Sequence, residues 1–143
     1  TTMRIMAIDY GDAHTGIAIS DPTGLLAGFT TVIDAYRPER VAEAVARLAQ
    51  EHGVERLVLG HPINMDGTRG PRSEKAQAMR QLLEETTGLT VVLWDERRTT
   101  IDAHQILLNS GKNAKKRKKV VDAVAASLIL EGYLTYLKSH PEG

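Results

Sequence analysis

The 143 residues carry 18 lysines and arginines against 18 aspartates and glutamates, so net charge is zero and no chain-wide attraction to a polyanion is implied. Cysteine is absent, which excludes disulfides and thiolate-bound zinc and fits a reducing compartment. Hydrophobic residues make up 42% but only six are aromatic, so aliphatic side chains must fill the core expected of one domain over residues 1–143.

In chain order, residues 4–9 are apolar on both faces, the pattern of a central strand covered on both sides. Thr1 and Thr2, ahead of Met3, read as an expression remnant without a role. Residues 10–15 form a turn through Gly11 and Asp12, and residues 16–20 a second strand in hairpin with the first. Asp21-Pro22-Thr23-Gly24 is a turn, and residues 25–33 a third strand, so the chain opens as an antiparallel meander. Helix then alternates with strand. Pro38 suits a first helical position and Gly53 a helix end, with Val41, Ala44, Val45, Leu48 and Ala49 as one apolar stripe. Residues 56–60 are a short buried strand and residues 61–70 a loop. Pro71 opens a second helix, with Ala76, Met79, Leu82 and Leu83 inward and Gly88 as its stop. Residues 90–94 are the fifth strand. Thr99 and Thr100 cap a third helix with Ala103, Ile106 and Leu107 on its inner face, ended by Gly111. Residues 112–119 form a basic segment, and residues 120–137 the final helix.

The order βββαβαβαα predicts an α/β fold: a mixed five-stranded sheet, three antiparallel strands then parallel βα units, with helices on both faces. The longest apolar stretch, residues 120–137, is interrupted by Asp122 and Glu131. A spanning helix needs about 20 mostly apolar residues, so this is read as a core helix and no membrane partner is expected. No basic-then-apolar leader opens these residues, and the expected location is cytoplasmic.

Three acids fall at strategic ends. Asp9 closes the first strand. Asp95-Glu96 follows the fifth. Ligands of open α/β sheets gather at such carboxyl ends. Asp122 falls in the first turn or so of the final helix, on a face with Ala125, Ala126, Ile129 and Tyr133, where a lone carboxylate is costly. A hard divalent cation, Mg²⁺ or Mn²⁺, would neutralise such a cluster, and two such ions support phosphodiester hydrolysis. Each acid also has a plain reading. Asp9 can start a turn, residues 95–98 can be a solvated charged loop, and Asp122 can answer the helix macrodipole. The joint placement, more than any one residue, points to metal-assisted chemistry.

Residues 112–119 hold six positive charges with no interleaved aromatic residue. Such runs are commonly solvated faces. Leading into the helix of Asp122, Lys115, Lys116, Arg117, Lys118 and Lys119 are expected to form a flap that grips phosphates without stacking on bases. Asn64, Asp66 and Thr68, in the loop after the fourth strand, and Arg97, beside Glu96, are further candidates for substrate contact. His14 and His61 can titrate near neutral pH, but are read as surface histidines without a catalytic role.

Asp9-Tyr10-Gly11-Asp12 with Gly16 and Ser20-Asp21, Gly60-x-Pro62 with Asn64-Met65-Asp66-Gly67, Asp95-Glu96-Arg97 with Thr99-Thr100, and Lys116-Arg117-Lys118-Lys119 with Asp122-x-x-Ala125-Ala126 together resemble the YqgF/RuvX family. The resemblance runs in order from about Arg4 to Leu137. It implies a ribonuclease-H-like fold and a metal-dependent nuclease. The family is described both as maturing the 5′ end of the small-subunit ribosomal RNA precursor and as Holliday junction resolvases. It implies Asp9, Glu96 and Asp122 as the catalytic, metal-holding triad, choosing Glu96 over Asp95. Arg98 stands where the family often has leucine, and His14 where it often has arginine or another polar residue. The expected partner is nucleic acid, structured RNA or branched DNA, bound by a monomer or homodimer. Two other classes stay open. An actin-like ATPase module shares the Asp9-x-Gly11 turn but needs a second domain. A non-catalytic nucleic-acid binder keeps the fold without the chemistry.

Overall fold

The computed structural model describes residues 3–11, 13–21, 27–61, 70–95 and 114–139, without the side chains of residues 27, 71, 72 and 114–122. The described strands are β1 (Ile5–Asp9), β2 (His14–Ser20), β3 (Ala27–Asp34), β4 (Arg56–His61) and β5 (Thr90–Asp95). The described helices are α1 (Pro38–His52), α2 (Pro71–Thr87) and α3 (Ala114–Ser139).

The sheet order is β3-β2-β1-β4-β5. β1 pairs antiparallel with β2, and β2 with β3, while β1–β4 and β4–β5 are parallel. This is the mixed sheet the sequence predicts. β1 lies at its centre because both faces of Ile-Met-Ala-Ile are apolar. Ile5, Met6, Ala7 and Ile8 are all buried. The pleat then sorts alternate residues into two cores. Met6, Ile8, Ile17, Ile19, Leu57, Leu59 and Val91 pack with α1 and α2. Ile5, Ala7, Ala18, Val58 and Trp94 pack with α3. At the middle of the α3 face stand the small Ala7 and Ala18, with Trp94 on β5 at its side. At Gly132 a Cβ would come within 3.2 Å of the Trp94 ring.

Helix boundaries follow their punctuation. Pro38 and Pro71 open α1 and α2, where a missing N–H costs nothing. Gly53 and Gly88 end them in the left-handed region, at φ 66° and 73°, with the cap N–H donating to Ala49 O and Glu84 O. The buried stripe of α1 is Val41, Ala42, Val45 and Ala49. Ala44 and Leu48 are half-buried at its margin.

Two expectations are corrected. The sequence predicts the final helix from residue 120, but α3 starts at Ala114 and takes in the basic run. Lysine and arginine are good helix formers, and like-charge i,i+4 pairs cost only about 0.2–0.5 kcal/mol each. The packed stripe downstream offsets that. Asp122 therefore sits eight residues into α3, beyond the first turn where the macrodipole acts. β2, β4 and β5 also run one or two residues longer than predicted. The helix expected after Thr99 and the turn at Asp21-Pro22-Thr23-Gly24 extend outside the described residues.

Candidate active site

β1 and the three strands that run parallel to it end on one rim. Asp9, Asp34, His61 and Asp95 close β1, β3, β4 and β5 there. The hairpin that returns to β2 is tight at Gly11, where an added Cβ would stand 2.3 Å from the carbonyl oxygen of His14. No side chain fits that gap, so the turn following Asp9 requires glycine. Across the rim, His14 Nδ1 meets Asp34 Oδ1 at 2.6 Å, and Ala35 N donates to Ala13 O at 3.1 Å. The start of β2 is thus tied to the end of β3.

Pleat parity decides which acids can meet. Ile5 and Ala7 face α3, so Asp9, the next residue in that alternation, lies on the α3 face. Its register partner is Gly16. On its other side, one step past the Ile8–Leu59 pair, stands Gly60. Asp9 is half-buried, and the positions flanking it on both neighbouring strands are glycine. Along β5, Val91 and Leu93 pack in the α1/α2 core, and Val92 and Trp94 in the α3 core. Asp95 falls in step with Val91 and Leu93, on the face away from Asp9.

His61 departs from its sequence reading. It is 6% exposed, in step with Leu57 and Leu59, and its Nε2 lies 2.6 Å from Oγ of the fully buried Ser73 on α2. Gln77 Nε2 donates to the same oxygen at 3.3 Å. The end of β4 is thus pinned to the first turn of α2. The register pairs His61 with Asp95, so both belong to the α1/α2 face. Alternation of Leu57, Leu59 and His61 was the signal for this burial.

α3 packs across β1, β2 and β3 and touches β4. Its buried face is Ala126, Ile129, Leu130, Tyr133 and Leu134. Tyr133 holds the amino end of β4 through a 2.9 Å hydrogen bond donated by Arg56 Nη1, and stands edge-on to Trp94. Asp122 lies on the backbone of this helix, one turn before Ala126. Lys115, Lys116, Arg117, Lys118 and Lys119 occupy its first two turns. Glu96, Asn64, Asp66, Thr68 and Arg97 lie outside the described residues. Among the described residues, no three histidine, aspartate or glutamate side chains gather as a metal site. No described helix is long and apolar enough to cross a membrane.

The family described as RuvX: Holliday junction resolvase matches residues 3–136. The chain is 44% identical over 134 residues to a protein of Halothermothrix orenii named "Putative pre-16S rRNA nuclease", covering 94% of this chain and 96% of that one. It is 42% identical over 139 residues to a Bacillus licheniformis protein of the same name, covering 96% of this chain and all of the other. In fold it is similar to T. thermophilus RuvC in complex with a Holliday junction substrate, with a TM-score of 0.62 at 15% identity over 94% of this chain and 96% of that one. The large terminase nuclease of thermophilic phage G20c gives 0.55 at 10% identity, over 90% and 80%. These two likenesses carry the ribonuclease-H-like fold.

Proposed function

Because the chain belongs to the RuvX family, we propose that it cuts phosphodiester bonds in the 16S ribosomal RNA precursor, maturing its 5′ end in the cytoplasm. It is a nuclease, a hydrolase of phosphodiester bonds. The observation that carries the finer reading is Asp9: a half-buried carboxylate closing the central strand, with glycine on both flanking strands. A carboxylate at that strand end is the hard oxygen donor that a divalent cation prefers.

Asp9, Glu96 and Asp122 form the oxygen donor set of this reading, and the domain spans residues 1–143. Glu96 is preferred to Asp95 because Asp95 falls on the α1/α2 face. Helix length suits Asp122. Eleven residues of α3, about 16 Å, separate it from Tyr133, whose hydroxyl meets Arg56 at the amino end of β4. Ile5 is level with Arg56, and the strand from Ile5 to Asp9 rises about 13 Å. Bound Mg²⁺ or Mn²⁺ supplies Lewis acidity at the scissile phosphate. The three carboxylates hold and orient, and Lys115, Lys116, Arg117, Lys118 and Lys119 neutralise neighbouring phosphates. Asn64 and Arg97 complete the grip on the substrate.

The family's description favours a second reading, resolution of four-way DNA junctions, which needs two symmetric cuts and so a dimer. Cleavage of structured precursor RNA and of four-way junctions, with Mg²⁺, Mn²⁺ or EDTA, separates the two. The expected result is metal-dependent cutting of RNA by wild type, lost in Asp9→Asn and Asp122→Asn with unfolding temperatures retained. Cutting of junctions alone, by a dimer, selects the second reading. Metal-independent cutting that survives both substitutions overturns the site.

A further inference from the structure

Tyr10 follows Asp9 directly, and the pleat turns it to the opposite face, against the α1/α2 core. There Tyr10, Tyr36, Pro38 and Lys75 surround a cavity of about 330 Å³ over Met79 and Leu82. Tyr36 is 82% exposed, so it contributes little to the core. Met79 is 1% exposed and closes the bottom. Tyr36 and Pro38 follow the carboxyl end of β3, and Lys75 lies in the second turn after the amino end of α2. The cavity therefore lies at the rim where β1 ends, on the α1/α2 side of the sheet, next in sequence to Asp9.

We propose that this groove seats an unpaired nucleobase of the substrate strand, flanking the phosphate at Asp9; the inference rests on the nuclease reading above. The chemistry fits one kind of occupant. Two tyrosine rings and an apolar floor offer π-faces and dry surface to a base of any identity. The lysine offers a charge to the phosphate that the base carries with it. The basic run of α3 has no aromatic residue, so it can grip the backbone but cannot stack. A base still paired and stacked in a duplex has its faces covered by its neighbours, so only an unpaired base can offer one to the tyrosines. The groove therefore makes the protein prefer a single-stranded extension beside the duplex, and does so without reading sequence.

The test uses two RNAs that share one duplex, one blunt and one with a short single-stranded tail carrying 2-aminopurine. Anisotropy gives binding, 2-aminopurine fluorescence gives stacking, and cleavage is followed separately. Wild type is expected to bind the tailed RNA more tightly and to quench the probe. Tyr36→Ala should weaken binding of the tailed RNA about five- to hundredfold, abolish quenching, and leave blunt RNA unchanged. Tyr36→Phe should restore both. Lys75→Ala should weaken binding of the tailed RNA and lower its salt dependence. Equal binding of tailed RNA by wild type and Tyr36→Ala overturns the groove, as does equal loss on both RNAs. A change of sedimentation with Tyr36→Ala, and none of RNA binding, overturns it in favour of a second copy of the chain. Binding is read without cleavage, so failure to cut any substrate counts against the nuclease reading alone.

Discussion

Ser73→Ala removes one half of the buried pair that ties β4 to α2. The bond is 2.6 Å long, with His61 6% exposed and Ser73 fully buried. A neutral hydrogen bond contributes about 0.5–1.5 kcal/mol net, but a buried ring nitrogen deprived of its partner costs about 1–3 kcal/mol. The larger figure governs, because both groups are buried. Unfolding entropy of about 2.1 cal/mol/K per residue gives about 0.3 kcal/mol/K for 143 residues. Tm should therefore fall by about 3–10 °C. Circular dichroism and the fluorescence of Trp94, the sole tryptophan, should report the same midpoint. Trp94 lies on the other face of the sheet, so agreement between the two probes shows one cooperative unit. His61→Leu removes the other half. The double substitution should cost less than the two single losses combined, by about 1 kcal/mol or more. Additive losses, or a Ser73→Ala midpoint equal to that of wild type, would refute the claim that this pair fastens the rim.

Gly11→Ala should destabilise by about 1–3 kcal/mol and lower cleavage with it, because its Cβ would meet a backbone oxygen at 2.3 Å beside Asp9; denaturant unfolding and turnover check both. Tyr133→Phe keeps the ring contact with Trp94 but deletes the hydroxyl that accepts from Arg56, for an expected loss of about 1 kcal/mol by urea titration. Replacing Lys115, Lys116, Lys118 and Lys119 by alanine should weaken nucleic-acid binding at low salt and flatten its dependence on log salt by up to about three. An unchanged slope would show that this stretch of α3 does not touch phosphate.

The order of elements was legible because its signals are local. Proline at residues 38 and 71 and glycine at residues 53 and 88 mark helix ends by backbone chemistry alone. The start of α3 was not legible, since a run of lysines looks the same whether it coils in water or extends a helix already anchored by Ala126 and Ile129. His61 was misread because a histidine after a strand resembles any loop histidine. Only its step with Leu57 and Leu59 gave it away, and its partner Ser73 lies 12 residues on, in another element. Nor could spacing choose between Asp95 and Glu96. Both faces of β5 are apolar, so its alternation cannot be assigned to a face until α3 is seen against Trp94. The groove at Tyr10 and Tyr36 joins two loops and two helices, which no window of sequence brings together.

That same alternation makes the length of β5 as consequential as its composition. Substitutions within the strand disturb one core at a time, since neighbouring residues answer to different helices. Inserting or deleting a single residue there would exchange the two faces from that point to the rim and carry Asp95 to the side of Asp9. The pleat therefore ties the position of Asp95 and of the acid after it to the number of residues in β5 more strictly than to which aliphatic side chains the strand carries.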